Sequence, residues 1–265
     1  MNNKPVLFLD SGIGGIPYCL DFLKRNERES VYYLADNKNF PYGTRKKEEL
    51  ISCLTALTEK LLKSVKPKII VLACNTATVS ALEYLRENFP QIPFVGTVPA
   101  IKPAAKASKN GKVGVLGTER TIEDPYNRKL AMDGCEIIGI AAPELVEFVE
   151  HHFDETSEDE KTKMVKKYIN LFRAKNADTL VLGCTHFLYL LEEFRREAAP
   201  YIKIFDSLDG ITKRIEYLLD ENDCSLRAEE ISNPERRLLL TGETADSLWQ
   251  NRLRTLGFTL DYYEN

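Results

Sequence analysis

The chain has 265 residues, with 36 Lys and Arg against 40 Asp and Glu, a net charge of −4 and an isoelectric point near 5.6. That balance argues against a broad nucleic-acid surface, and 43% hydrophobic with 29% charged residues describes a folded globular protein. From its N-terminal residues no secretory signal is expected, and no apolar run approaches the roughly 18 residues that cross a bilayer, so neither nucleic acid nor membrane is expected as a partner and the expected location is cytoplasmic.

In chain order, strands are expected at Val6–Leu9, Val31–Ala35, Ile69–Ala73, Phe94–Val98, Val113–Gly117, Ile137–Ile140, Leu180–Gly183, Ile202–Phe205 and Leu238–Thr241. Longer amphipathic stretches such as Lys46–Val65, Thr78–Asn88 and Glu158–Lys175 lie between them. Strands rich in Val, Ile and Leu on both faces are covered on both sides, as in parallel sheets. The βα rhythm therefore predicts an α/β fold. Gly96-Thr97-Val98-Pro99 reads as a crossover and Asp206–Gly210 as a return. The expected organisation is a first domain of residues 1–97 plus 208–265 and a second of residues 98–207.

Two segments echo each other. Val71-Leu72-Ala73-Cys74-Asn75-Thr76 and Val181-Leu182-Gly183-Cys184-Thr185-His186 each run an apolar strand into a cysteine and then into a helix-like segment. Phe8-Leu9-Asp10-Ser11 and Ile204-Phe205-Asp206-Ser207 form a second echo. We read two similar, pseudo-symmetric domains with mostly parallel sheets flanked by helices, meeting at a cleft that holds the active site. A thiol that ends a strand and opens a helix sits where amides and the helix dipole favour thiolate. Asn75, Thr76 and Thr185 offer neutral hydrogen bonds to a carboxylate or ammonium group, and His186 and Asp10 are placed to orient or activate the thiols.

Each feature has a plainer reading. A lone cysteine is commonly a small buried apolar residue, and Asp10 could simply cap the helix after a tight turn. Asp10-Ser11-Gly12-Ile13-Gly14-Gly15 is not a dinucleotide-binding fingerprint, and its aspartate would repel a pyrophosphate. The scattered Cys19, Cys53, Cys74, Cys135, Cys184 and Cys224 argue for reduced thiols over a disulfide framework. Zinc on Cys74, Cys184, His186 and His151 or His152 lacks the short loop spacing of structural sites, so no metal is expected. His151-His152 reads instead as a solvated helix end.

At these residues the chain resembles glutamate racemase, within the aspartate/glutamate racemase superfamily. The motifs stand in family order: Asp10–Gly15, Pro41-Tyr42-Gly43, Ala73–Ala77, Asp178–His186 and Leu240-Thr241-Gly242. The resemblance implies cofactor-free interconversion of L- and D-glutamate between two α/β domains, supplying D-glutamate for peptidoglycan. It implies Cys74 and Cys184 as the two proton donor/acceptors, the first for the D-isomer and the second for the L-isomer, with Asp10 and His186 assisting. It implies substrate contacts at Asp10, Ser11, Tyr42, Gly43, Asn75, Thr76, Thr185 and His186, and a homodimer, which family members often form. In Ala142–His151, Glu150 keeps the acidic position that assists the chemistry, while Glu147 stands in place of a proline and His151 in place of a second acid. Phe40 before Pro41 also departs from the usual turn.

The residues fit this chemistry by themselves. Abstracting an α-proton without pyridoxal phosphate demands proximity and charge stabilisation in a dry site. One ionised and one protonated thiol would let a proton leave one face as another arrives opposite. The rivals are a sister racemase for aspartate or another amino acid, a non-catalytic amino-acid-binding protein, and an amidohydrolase with one nucleophilic cysteine.

Overall fold

A computed structural model describes residues 4–125, 134–221, 226–228, 233–242, 249 and 257–263. They pack as two compact units, residues 1–97 with 208–265 and residues 98–207. Cys224 lies outside the described residues; the other five cysteines are free thiols.

In the first unit, β1 (Val6–Asp10), β2 (Val31–Ala35), β3 (Ile69–Leu72), β4 (Phe94–Gly96), β9 (Arg236–Leu240) and β10 (Thr259–Tyr262) form one sheet in the order β10-β9-β2-β1-β3-β4. Every registered pairing is parallel. Side chains alternate across the sheet, so Leu7 and Leu9 of β1 face the opposite way from Phe8. The leucines join Leu50, Leu54, Leu57 and Leu61 of α2 (Lys47–Ser64) and Ala77, Ala81 and Leu85 of α3 (Asn75–Asn88) in one core cluster. Phe8 meets Phe22 of α1 (Ile16–Arg25), their ring centroids 5.8 Å apart.

In the second unit, β5 (Lys112–Gly117), β6 (Glu136–Ala141), β7 (Thr179–Leu182) and β8 (Lys203–Phe205) form a parallel sheet in the order β6-β5-β7-β8. Its helices are α4 (Ile101–Ala107), α5 (Glu119–Glu123), α6 (Pro143–His151), α7 (Glu158–Ala174) and α8 (Leu191–Ala198). On one face Ile101, Ala104 and Ala105 of α4 pack on Val113, Val115 and Val181. On the other, a Cβ on Gly114 would fall 2.7 Å from the Phe172 ring; glycine lets α7 lie flush on β5. The start of α7 is a capping box, Ser157 and Glu160 each bonding the other's backbone N–H. In the first unit the chain then enters α9 (Leu208–Asp220), which packs beside α1.

The strand orders show which segments correspond. β2-β1-β3-β4 and β6-β5-β7-β8 are the same arrangement, so β3 matches β7 and the two cysteine segments are true counterparts. The second echo does not hold. β8, which precedes Asp206-Ser207, occupies the edge place of β4, while the counterpart of β1 is β5. Apolar strands ending in Asp-Ser read alike whatever their neighbours, and only hydrogen-bonded pairing distinguishes a central strand from an edge.

Candidate functional site

In an open parallel sheet, ligands bind outside the carboxyl ends of the strands where the strand order reverses. In the first unit that point lies between β1 and β3, and in the second between β5 and β7. Cys74 directly follows β3 and Cys184 directly follows β7, each residue 7% exposed. The equivalence extends to single bonds: Ala73 N–H donates to the Leu9 carbonyl at 2.8 Å, and Gly183 N–H to that of Leu116 at 2.7 Å.

In the first unit, β1 and β3 pair Leu9 with Leu72, which brings Asp10 and Ser11 to the same carboxyl end of the sheet as Cys74. Asp10 is fully buried, and Ser11 N–H donates to its carboxylate at 2.6 Å. It does not cap the following helix: α1 starts at Ile16, with Gly15 at its cap and no side-chain bond there. A stretch of turn intervenes, leaving Asp10 at the strand end. A Cβ on Gly15 would lie 2.6 Å from Ala73 Cβ and 2.7 Å from its carbonyl oxygen. The Gly-rich turn thus rests on the residue before Cys74, and no larger side chain fits there.

Cys74 is the N-terminal cap of α3, a helix of 14 residues whose first amides carry partial positive charge. Asn75 and Thr76 form its first turn and are buried. Asn75 Nδ2 donates to the Thr97 carbonyl at 3.2 Å, while Oδ1 is buried with no hydrogen-bond partner among the described residues. Because a carbonyl can only accept, this bond fixes which amide atom is which, and the atom left over is an acceptor.

Tyr42 and Gly43 lie in a short 3₁₀ turn, Tyr42–Thr44. The buried Tyr42 hydroxyl donates to Asp36 at 2.7 Å. Burial first, then the Asp36 charge, hold its pKa well above that of free tyrosine, so it keeps its proton and offers other groups only an acceptor. Asp36 is fully buried and also accepts from Thr241 Oγ1 at 2.6 Å and Asn39 Nδ2 at 3.0 Å, while its own N–H donates to the Asp10 carbonyl at 2.8 Å. Gly242 N–H bonds Asn37 Oδ1 at 2.8 Å. The Pro41-Tyr42-Gly43 and Leu240-Thr241-Gly242 motifs are therefore joined through Asp36, a residue that no spacing in the sequence marks.

In the second unit, Cys184 heads a 3₁₀ helix, Thr185–Leu190, that runs into α8. His186 lies behind it, Nδ1 3.8 Å from Cys184 Sγ and Nε2 2.9 Å from Glu150 Oε2. Glu150 belongs to the last turn of α6 and is buried, as are Thr185 and His186. Burial opposes a charge on the imidazole, but bonding to Cys184 and Glu150 outweighs it and holds the His186 pKa well above the ordinary value. A charged His186 donates from both nitrogens, which orients the ring and places a positive group beside the sulfur. Thr118 and Thr121, which the sequence does not single out, follow β5; Thr118 accepts from the Thr121 N–H, and the Thr121 methyl lies 3.7 Å from where a Gly183 Cβ would be. The only signal for them is Gly117-Thr118 at a strand end, a common pairing.

His151 is half-exposed and lies 3.6 Å from Glu147 on the surface of α6. Among the described residues no group of three or more His, Cys, Asp or Glu side chains is placed to hold a metal ion, and no helix is long and apolar enough to cross a membrane.

Comparison with known proteins bears on this arrangement. The profile of the Asp/Glu/hydantoin racemase family matches residues 23–213. The chain is 36% identical over 259 residues to a glutamate racemase of Shewanella piezotolerans, covering 96% of this chain and 95% of that one. It is 37% identical over 210 residues to that of Treponema pallidum, covering 78% of each. The structure superposes on a glutamate racemase of Bacillus anthracis with a TM-score of 0.84 at 29% identity, covering 100% of this chain and 98% of that one. The Escherichia coli enzyme, solved with L-glutamate and an activator, gives the same TM-score and identity over 98% of each chain. By sequence and fold the chain belongs to the Asp/Glu/hydantoin racemase family and is an isomerase. Within that family, its similarity across nearly the whole length is to glutamate racemases.

Proposed function

We propose that the protein interconverts L- and D-glutamate without a cofactor, using Cys74 and Cys184 as the two proton donor/acceptors on opposite faces of one α-carbon. The observation that carries this reading is the matched pair of thiols, each at the switch point of a sheet of the same strand order. Relatives of high coverage are glutamate racemases, and two solved ones hold L-glutamate or D-glutamate.

The two thiols are served differently. Cys74 has the N-terminus of α3, with Asp10 at the end of the adjacent strand; Cys184 has the His186–Glu150 pair. In the direction from L to D, Cys184 takes the α-proton as the thiolate, with charged His186 beside its sulfur. The carbanion is then protonated by the Cys74 thiol from the other face. The reverse direction exchanges the roles. Asn75 Oδ1, the buried acceptor without a partner among the described residues, suits the substrate ammonium, and Thr76 and Thr185 suit its carboxylate. Ser11, Tyr42 and Gly43 complete the contacts. The product serves peptidoglycan assembly, and the enzyme works in the cytoplasm as a homodimer.

Polarimetry of L-glutamate with purified protein and no added cofactor tests the activity, and the same reaction in deuterium oxide tests the mechanism. Label should enter the product enantiomer while the remaining substrate stays largely unlabelled early on. Equal early labelling of both would rule out two separate bases, and no exchange at Cα would leave only a binding protein. Faster turnover of aspartate than glutamate would assign the site to the sister reaction.

A further inference from the structure

The second unit has a concavity at the end of its sheet opposite Cys184. It is shallow and open to solvent, with a volume of about 670 Å³. Its walls include Lys112 at the start of β5, Asp178 and Ile202 just before β7 and β8, Arg173 at the end of α7, and Tyr201. The length of β7, 4 residues, separates it from the thiol.

The charges in this concavity are unevenly compensated. Arg173 donates from Nη2 to the Glu197 carbonyl at 2.6 Å and stacks over the Tyr201 ring at 5.3 Å, but its Nε is buried without a partner and no carboxylate among the described residues pairs with it. Lys112 reaches Glu136 only at 3.8 Å, with both side chains substantially exposed, a contact that contributes little. Asp178 in the wall stays charged and offsets one of the two cations, so the lining carries one positive charge in excess, and the carboxylate oxygens are turned to their own donors. Asp178 already accepts from Ser108 Oγ at 2.6 Å and from the N–H groups of Lys109 at 2.6 Å and Asn110 at 3.1 Å. The wall is also fixed before any ligand arrives. Asn110 Nδ2 holds the Asn176 carbonyl at 2.8 Å and its Oδ1 takes the Lys112 N–H at 2.9 Å. Preorganisation of this kind lowers the cost of binding.

We propose that this basal concavity is an anion site, distinct from the thiols, for a small organic phosphate. Its phosphate would lie against Arg173 and Lys112, and its apolar body against Tyr201 and Ile202. Two cations suit a dianion better than a single carboxylate. Tyr201 is 72% exposed, so the part of its ring that Arg173 does not cover is open to a ligand's apolar body.

The test is titration of the full-length protein with phenyl phosphate, inorganic phosphate and benzoate, followed by calorimetry and by amide NMR shifts. The expected result is saturable phenyl phosphate binding with a Kd of about 1 mM or tighter, with shifts centred on residues 110–112 and 176–178. Inorganic phosphate and benzoate should each bind several-fold more weakly, since each lacks half of the match. Lys112→Gln and Tyr201→Ala change exposed side chains and leave the fold and the racemase rate intact, so each should weaken phenyl phosphate about tenfold. Arg173→Gln should abolish binding, with circular dichroism checking that the contact to Glu197 is dispensable to folding. Absence of saturable binding, equal affinity in the Lys112 and Tyr201 variants, or shifts confined to the Cys184 end would each overturn the proposal.

Discussion

At the scale of single residues, the two thiols should be individually indispensable. Cys74→Ala and Cys184→Ala are each expected to lower glutamate racemisation by at least about 10³-fold, in the range for loss of a group that transfers the proton. Each removes one sulfur from a buried position at a strand end, so the thermal midpoint should move by only a few degrees. Near-normal turnover in either variant would remove that cysteine from the chemistry. His186 supplies a pH signature. Its folded pKa is raised, so its contribution to stability is fully present below the unfolded value of about 6.5 and is lost as pH rises through the folded value. Glu150→Gln removes one of the groups holding that charge. The variant should lose the excess stability that wild type shows at neutral pH relative to alkaline pH, and its rate profile should shift to lower pH in the direction that starts at Cys184. Chemical denaturation across pH, with rates followed in both directions, reads both effects; a profile parallel to wild type would mean Glu150 does not act through His186.

At the scale of elements, two contacts determine how the switch points are built. Gly15 touches Ala73 with no room for a Cβ, so Gly15→Ala forces the start of α1 away from the end of β3. The expected cost is about 1–3 kcal/mol, as for other overpacked sites, together with a loss of activity larger than the stability change alone explains. Urea denaturation beside steady-state kinetics separates the two; an unchanged rate would show that the turn does not position Cys74. Asp178 stands at the other end of β7, where burial opposes its charge but the donors Ser108, Lys109 and Asn110 hold its pKa below the usual carboxylate value. Its contribution is present above the unfolded pKa of about 3.9 and disappears as pH falls through the lower, folded value. Asp178→Asn should therefore cost about 1–2 kcal/mol at neutral pH, and much less in acid. Melting curves at neutral and acid pH check this.

The same elements show how much of the fold is legible in the order of residues. The nine strands expected from apolar runs all exist within a residue or two, because buried parallel strands are apolar on both faces and short. β10 gives no such signal, since Thr259-Leu260-Asp261-Tyr262 is an edge strand that alternates and has no apolar run. Cys74, Cys184, Asp10 and His186 are visible because they stand where strand patterns stop. Asp36 is not, because its importance comes from Thr241, about 200 residues away, and no local pattern records that hydrogen bond.

At the scale of the molecule, the first unit is assembled from both ends of the chain. β9 pairs with β2 in register from Val31–Arg236 to Ala35–Leu240, and α9 packs beside α1. A buried ion pair between Lys68 and Glu29 gathers in the returning chain as well: Lys68 Nζ donates to the Leu226 carbonyl at 2.8 Å, and Ala228 N–H to Glu29 at 3.1 Å. Breaking such a pair from one side leaves an unpaired buried charge. Lys68→Ala should accordingly cost about 3–5 kcal/mol and loosen the return segment, seen as faster amide exchange at residues 226–228 and 236–240. Exchange unchanged there would show that β9 is held by its ladder alone.

By itself the sequence determined the alternation of strands and helices, the two thiols and the residues that flank them, because those depend on neighbours a few positions apart. Tertiary structure alone decided which strands correspond between the sheets, that Asp36 joins two distant motifs, and that Glu150 stands behind His186. Each of those is a hydrogen bond or pairing between segments far apart in the chain, and such a bond is chosen by packing, for which no local run of residues is a record.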